Sequence, residues 1–243
     1  MNLTAQLAQK ALKKLASAEK AKVNLRFFKT GPGEYGEGDH FIGVTQPQVR
    51  SVAKQFQSLP LSETLTLLKS EIHEERMLAL VIWTLKTQKA SESESKKIAQ
   101  TFLKNTQTIN NWDLIDVATP LILGPFVYGR DQEVLKKIEE FSKSPSLWKR
   151  RIALLSTFYC IGKEDFELSL RFAQLMLLDS EDLIHKASGW MLREIGKKDL
   201  EPLRRFLQSH AHEMPRTMLR YSLEKLSEQE RKKWMERKSK TKN

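Results

Sequence analysis

Residues 109–123 read INNWDLIDVATPLIL, an apolar run interrupted by one tryptophan and two aspartates. Four other stretches align with it: HEERMLALVIWTLK (73–86), LWKRRIALLSTFYCI (147–161), LIHKASGWMLREIG (183–196) and EMPRTMLRYSLEKL (213–226). In that alignment Arg76, Trp112, Arg150, Lys186 and Arg216 occupy matching places, spaced by 36, 38, 36 and 30 residues. Another amphipathic segment separates each stretch from the next, such as SKKIAQTFLKN (95–105) or DQEVLKKIEEFS (131–142). Helix pairs recurring at this period predict an all-α chain, an α-solenoid or superhelix of HEAT-like, armadillo-type repeats. In such a fold the second helices line one concave surface, so residues at equivalent turns face a common groove. A bundle of unrelated helical hairpins is the plainer alternative.

The rest of the chain agrees with a helical reading. AQLAQKALKKLASAEKAKVNLRFF (5–28) has the three-to-four-residue spacing of an amphipathic helix. Strand-like alternation is absent beyond a few residues, and the 10 glycines and 8 prolines fall mostly between periodic segments. Thr45 with Gln48, and Ser91 with Glu94, fit the capping-box pattern. Asp165 and the Ser144–Pro145 pair are read as further helix starts, giving about a dozen helices by this count. A single repeat domain is expected over residues 1–230, followed by a basic tail over 231–243.

The chain holds 41 lysines and arginines against 30 aspartates and glutamates, a formal charge of +11. RKKWMERKSKTKN (231–243) supplies +6 of that, so the remainder is only moderately basic. An acidic partner is indicated, nucleic acid first. The second helices carry Arg76, Arg150, Arg151, Lys186, Arg193, Arg216 and Arg220. A row of cations there can track a phosphate backbone, although helical arginines are commonly plain surface residues. No apolar run reaches the ~20 residues that span a bilayer. The N-terminus lacks the apolar block of a secretory signal. A lone cysteine, Cys160, excludes an internal disulfide framework and points to a reducing cytoplasm. It is read as a small core residue.

Two features invite other chemistry and do not support it. TGPGEYGEGDHFIG (30–43) has five glycines but lacks the Gly-Lys-Ser/Thr ending of a phosphate loop, and Glu34, Glu37 and Asp39 would repel phosphate. It is read as a structured connector. The five histidines (His40, His73, His185, His210, His212) include no pair at convincing metal spacing, so no metal and no cofactor are expected.

On a helix, Trp112 and Asp116 share a face, while Asp113 projects about 100° away and suits the helix start. Asp116 among Leu114, Ile115, Val117 and Ala118 has two readings. One is a structural salt bridge to Arg150 or Arg151. The other places a carboxylate with Trp112, Arg151 and Trp190, a set that can surround a cation next to an anion. N-glycosidic hydrolysis of an alkylated purine creates that distribution of charge.

NNWDLIDVATPLILG, LWKRRIALLST and HKASGWMLREIGKKDL, in this order and spacing, resemble the AlkD-type alkylpurine DNA glycosylases. LRFFKT and FIGVTQPQVR extend the resemblance to the N-terminal part. The resemblance implies a HEAT-like superhelix whose basic concave groove holds double-stranded DNA. It also implies release of N3- or N7-alkylated purines without a base pocket. It assigns Trp112 and Trp190 as the indoles against the lesion's sugar and backbone, Asp116 as the catalytic carboxylate and Arg151 as the arginine at the DNA backbone. Phe27 stands where that family often has tyrosine, so a hydroxyl is lost. No lysine stands out as a Schiff-base nucleophile, so a monofunctional, monomeric enzyme is expected. The alternative is a non-catalytic repeat protein that binds distorted or branched DNA.

Overall fold

The computed structural model describes residues 3–236, and the end of the basic tail, 237–243, lies outside them. The described residues form sixteen α-helices and one 3-10 turn, with no strand among them. Contacts group them into two compact units, one ending at Ile122 and one starting at Leu123.

The first unit contains α1 (Ala5–Lys13), α2 (Ala18–Phe27), α3 (Gln46–Gln55), α4 (Leu61–Leu68), α5 (His73–Thr87), α6 (Glu92–Lys104) and α7 (Trp112–Ile122). α5 is its axis and packs against α1, α3, α4, α6 and α7. Every residue from His73 to Thr84 is buried, so α5 is enclosed all round rather than amphipathic. Leu78, Leu80, Ile82 and Trp83 form the dry core, each removal from water contributing roughly 1.5–3 kcal/mol before ordering costs. The Trp83 indole N–H is satisfied by Thr64 Oγ1 at 2.7 Å.

The second unit contains α8 (Gly124–Tyr128), α9 (Gln132–Ser142), α10 (Leu147–Leu155), α11 (Phe158–Gly162), α12 (Glu167–Leu175), α13 (Asp182–Lys198), α14 (Leu200–His210), α15 (Arg216–Leu223) and α16 (Glu228–Met235). Here α13 is the axis, against α10, α11, α12, α14 and α15. α15 approaches so closely that a Cβ at Gly189 would sit 2.5 Å from the Met218 carbonyl oxygen and from Tyr221 Cβ. Only glycine allows that approach.

The alternation expected from the sequence is present: α4–α5 and α6–α7 in the first unit, then α9–α10, α12–α13 and α14–α15 in the second. Two of the helices beyond the expected dozen arise because long segments are broken. Ser17 caps α2 through its Oγ, which splits residues 5–28 into two helices, and α2 buries none of its residues. Ser156 and Thr157 turn their hydroxyls onto the carbonyls of Ala153 and Leu154, both at 2.7 Å, where α10 gives way to α11.

Both capping boxes form. The other two helix starts are corrected. Asp165 pairs with Arg130 at 2.8 Å, and α12 begins two residues later. Ser144 Oγ accepts from Ser146 N–H at 3.2 Å, and α10 begins at Leu147. The tail boundary at Arg231 also falls inside α16, whose Trp234 is buried with Leu203, Leu207 and Met218. No described helix is long and apolar enough to cross a membrane.

Candidate functional site

In the first unit the N-terminal turn of α5, His73-Glu74-Glu75-Arg76, is entirely buried although each side chain is polar. Such burial is tolerated when the groups are matched, and here all but Glu75 Oε1 and Arg76 Nε among their buried side-chain polar atoms are. Glu74 accepts the backbone N–H groups of Ile42, Gly43 and Val44 at 3.1, 2.8 and 3.2 Å, which anchors the end of the glycine-rich loop. Gly43 sits at φ +76°, in the left-handed region, where a Cβ would also strike the Ser17 carbonyl. Glu75 accepts from the Gln9 amide at 2.7 Å. Arg76 donates to the carbonyls of Ser70 and Glu71 at 3.0 and 3.1 Å and pairs with Asp39.

His73 lies between two carboxylates, with Nδ1 at 2.9 Å from Asp39 and Nε2 at 2.9 Å from Asp113. Burial alone would push its pKa down. The charges and hydrogen bonds of Asp113 and Asp39 outweigh that and raise it from 6.5 to about 9. Asp39 shows the converse. Its burial opposes ionisation, yet His73, Arg76 and Asn111 hold its pKa down at about 2. The group is therefore an ionised carboxylate beside an imidazolium at neutral pH.

Trp112 opens α7 next to this cluster. Its backbone N–H donates to Asn111 Oδ1 at 2.8 Å, and its indole N–H donates to Tyr35 Oη at 3.3 Å. The ring packs on Phe28 at 5.4 Å and edge-on to Phe27 at 5.8 Å. Phe28 and Phe41 in turn flank the His73 imidazole, at 5.2 and 4.5 Å. A cavity of about 330 Å³, lined by Lys20, Phe27, Phe28, Phe41, His73 and Asp113 among others, opens beneath α2. Asp116 follows one turn after Trp112 and is half-buried. Asp113 takes the supporting place expected of it, turned into the buried cluster. The glycine-rich loop is the structured connector the sequence suggests. Asp39, Tyr35, His73 and Asn111 went unrecognised in the sequence as a group.

In the second unit Trp190 is half-buried, packs against Phe158 at 5.4 Å and donates its indole N–H to Glu194 at 3.2 Å. Glu194 also receives Arg193 and Lys197. Arg151 is buried, with one guanidinium nitrogen donating to the Leu183 carbonyl at 2.5 Å.

The cations expected at DNA phosphates are differently placed. Arg76 is 5% exposed and its guanidinium is committed to the loop carbonyls and Asp39, so it is a structural staple. Arg150 repeats that work one unit on, donating to the carbonyls of Ser144 and Pro145 at 2.9 Å and pairing with Asp179 at 2.6 Å. In both cases the carbonyls lie six and five residues upstream. Lys186 pairs with Asp182 at 2.8 Å, with both side chains well exposed. Arg193 also reaches Glu224, and Arg216 is exposed and donates to the Met235 carbonyl at 2.9 Å. Cys160 is buried, and burial pushes its thiol up to about 11, which makes it inert as a nucleophile.

The sequence model of the DNA alkylation repair enzyme family matches residues 8–226. A predicted DNA alkylation repair enzyme from Enterococcus faecalis is similar in structure, with a TM-score of 0.68 and 18% identity over 88% of this chain and 97% of that one. The smu.31 protein of Streptococcus mutans UA159 matches 98% of this chain and 99% of its own, at 20% identity and a TM-score of 0.49. No curated protein matches the chain. At 18% identity the likeness to the Enterococcus faecalis protein concerns the fold alone, whereas the sequence model spans most of the residues described above. The chain belongs to the DNA alkylation repair enzyme family.

Proposed function

We propose that the protein is a monofunctional DNA glycosylase acting on cationic N3- and N7-alkylated purines in duplex DNA. The observation that carries this reading is a half-buried carboxylate, Asp116, one turn beyond Trp112 on α7, in a chain of the DNA alkylation repair family. The C1′–N bond breaks with its electron pair leaving on the base. Because the alkylated base already bears the positive charge, it departs neutral and needs no protonation. The sugar is left as an oxocarbenium ion, water adds to C1′, and a proton is released as the abasic site forms. A carboxylate serves that charge and orients the water, and an indole face stabilises the same cation.

Trp112 and Asp116 carry these roles from the first unit. Trp190, as a second indole, and Arg151, toward the DNA backbone, are assigned to the second. The bond from Arg151 to Leu183 gives it the further task of holding the start of α13. Lys186, Arg193 and Arg216 are the cations we assign to phosphate. Lys186 is the readiest to exchange, because an exposed ion pair is worth only ~0–1 kcal/mol and a phosphate can replace the carboxylate. Arg76 and Arg150 are withdrawn from that role by their pairing with Asp39 and Asp179 and with loop carbonyls.

The test is to incubate the protein with methylated duplex DNA and measure released 7-methylguanine and 3-methyladenine together with abasic sites. The expected result is equal yields of free base and abasic site with no strand cleavage by the protein. Binding without base release would overturn the reading in favour of a non-catalytic protein for distorted or branched DNA.

A further inference from the structure

The buried polar cluster at the start of α5 has no part in the bond cleavage described above, yet its hydrogen bonds converge on one place. Two polar threads leave His73. One runs through Asp39, which accepts from the Asn111 amide at 3.1 Å, and Asn111 Oδ1 accepts the Trp112 backbone N–H at 2.8 Å. The other runs directly to Asp113, whose second oxygen accepts the Leu114 N–H at 2.8 Å. Both threads end on the first turn of α7. A third attachment comes from the same loop as Asp39, since Tyr35 accepts the Trp112 indole N–H.

These attachments fix the rotation of α7 about its own axis. Successive helical residues are 100° apart, so a slip in the first turn would swing the face that Trp112 and Asp116 share. A catalytic carboxylate must be held to within a fraction of an ångström of its productive place.

We propose that His73, clamped between Asp39 and Asp113, is a positioning residue that fixes the first turn of α7 and thereby presents the Trp112 indole and the Asp116 carboxylate. The inference rests on reading Trp112 and Asp116 as the glycosylase machinery. The proton on His73 is central to it. An imidazolium donates to both carboxylates, whereas a neutral ring has one donor and must turn a lone pair toward one of them. The groups facing the ring are Asp39 from the loop and Asp113 from α7, with Glu74 and Arg76 on its own helix and Lys20 on the wall of the adjoining cavity. Phe28 and Phe41 flank the ring and suit a cation. The two carboxylates dominate and hold the proton up to about pH 9.

The test uses the full chain labelled with fluorotryptophan, with the Trp112 fluorine resonance assigned by its loss in Trp112→Phe. In the unsubstituted protein that resonance is expected to move with a midpoint near 9 as pH rises, while the Trp190 resonance stays put. In His73→Gln the step disappears, and kcat for 7-methylguanine release falls about 10- to 100-fold with duplex affinity within about twofold. Tyr35→Phe, which deletes a half-exposed contact, should shift the same resonance with a smaller loss in kcat.

A folded His73→Gln protein with an unmoved Trp112 resonance and unchanged kcat, altered only in melting temperature, would overturn the proposal. Where His73→Gln does not fold, the pH titration of the unsubstituted protein and Tyr35→Phe decide it, and a Trp112 resonance unmoved in both refutes it. If Asp116→Asn proves active while Trp112 still follows His73, the link from His73 to Trp112 is upheld and the catalytic role given to Asp116 is what fails.

Discussion

Both units carry a tryptophan followed four residues later by a carboxylate, and the two pairs are wired differently. In the second unit the Trp190 indole donates to Glu194, which is also enclosed by Arg193 and Lys197. Burial raises the pKa of Glu194, but Lys197 and Arg193 outweigh it and the net shift is downward. That carboxylate is neutralised where it stands. In the first unit the Trp112 indole N–H turns to Tyr35 on the glycine-rich loop. One i, i+4 spacing thus accompanies an indole bonded to its own carboxylate in one unit and an indole bonded to a loop tyrosine in the other. What differs is the loop that takes the indole N–H.

The arginine staples sharpen the contrast. Arg76 and Arg150 close equivalent carbonyls, but Asp39 is wired onward to His73 and Trp112, while Asp179 accepts from Glu181 N–H at 2.9 Å and reaches no indole. Arg76→Leu is therefore expected to cost the most, about 3–5 kcal/mol in denaturant unfolding, because it breaks a buried ion pair and opens the Ser70 and Glu71 carbonyls. Arg150 is more exposed, and Arg150→Leu should cost about 1–2 kcal/mol in the same measurement. Equal losses for the two would erase the distinction between the units.

The pH dependence separates them further. His73 is raised above its unfolded value of 6.5, so its contribution is full below about 6.5 and is lost as pH rises through about 9. Asp39 is depressed below 3.8, so its contribution is present above about 3.8 and is lost as pH falls through about 2. Unfolding midpoints measured across pH should fall between 6.5 and 9, and His73→Gln should flatten that limb. The smallest effect is expected at Lys186→Ala. Stability should change by no more than about 0.5 kcal/mol, while the salt slope of duplex binding drops by about one phosphate. An unchanged slope would remove Lys186 from the DNA contacts.

The helix pairs were legible in the sequence because burial of one stripe against a neighbour imposes a 3.6-residue period that needs no distant partner. Trp112 and Asp116 were legible for the same reason, since four residues on a helix always share a face. The buried cluster was not. Asp39, His73 and Asp113 are 34 and 40 residues apart, and nothing local in HEERMLALV tells a buried HEER from a solvated one. The register of Arg76 and Arg150 was visible, but the sequence did not show that both donate to loop carbonyls six and five residues upstream.

The most direct test compares Asp116→Asn with Glu194→Gln in single-turnover release of 7-methylguanine from methylated duplex DNA, with duplex affinity measured in parallel. Asp116→Asn is expected to lose at least about 100-fold in rate, the scale for removing a charge aimed at the transition state, while Glu194→Gln stays within a few-fold and both retain duplex affinity. Release by Asp116→Asn at the unsubstituted rate would contradict the central claim.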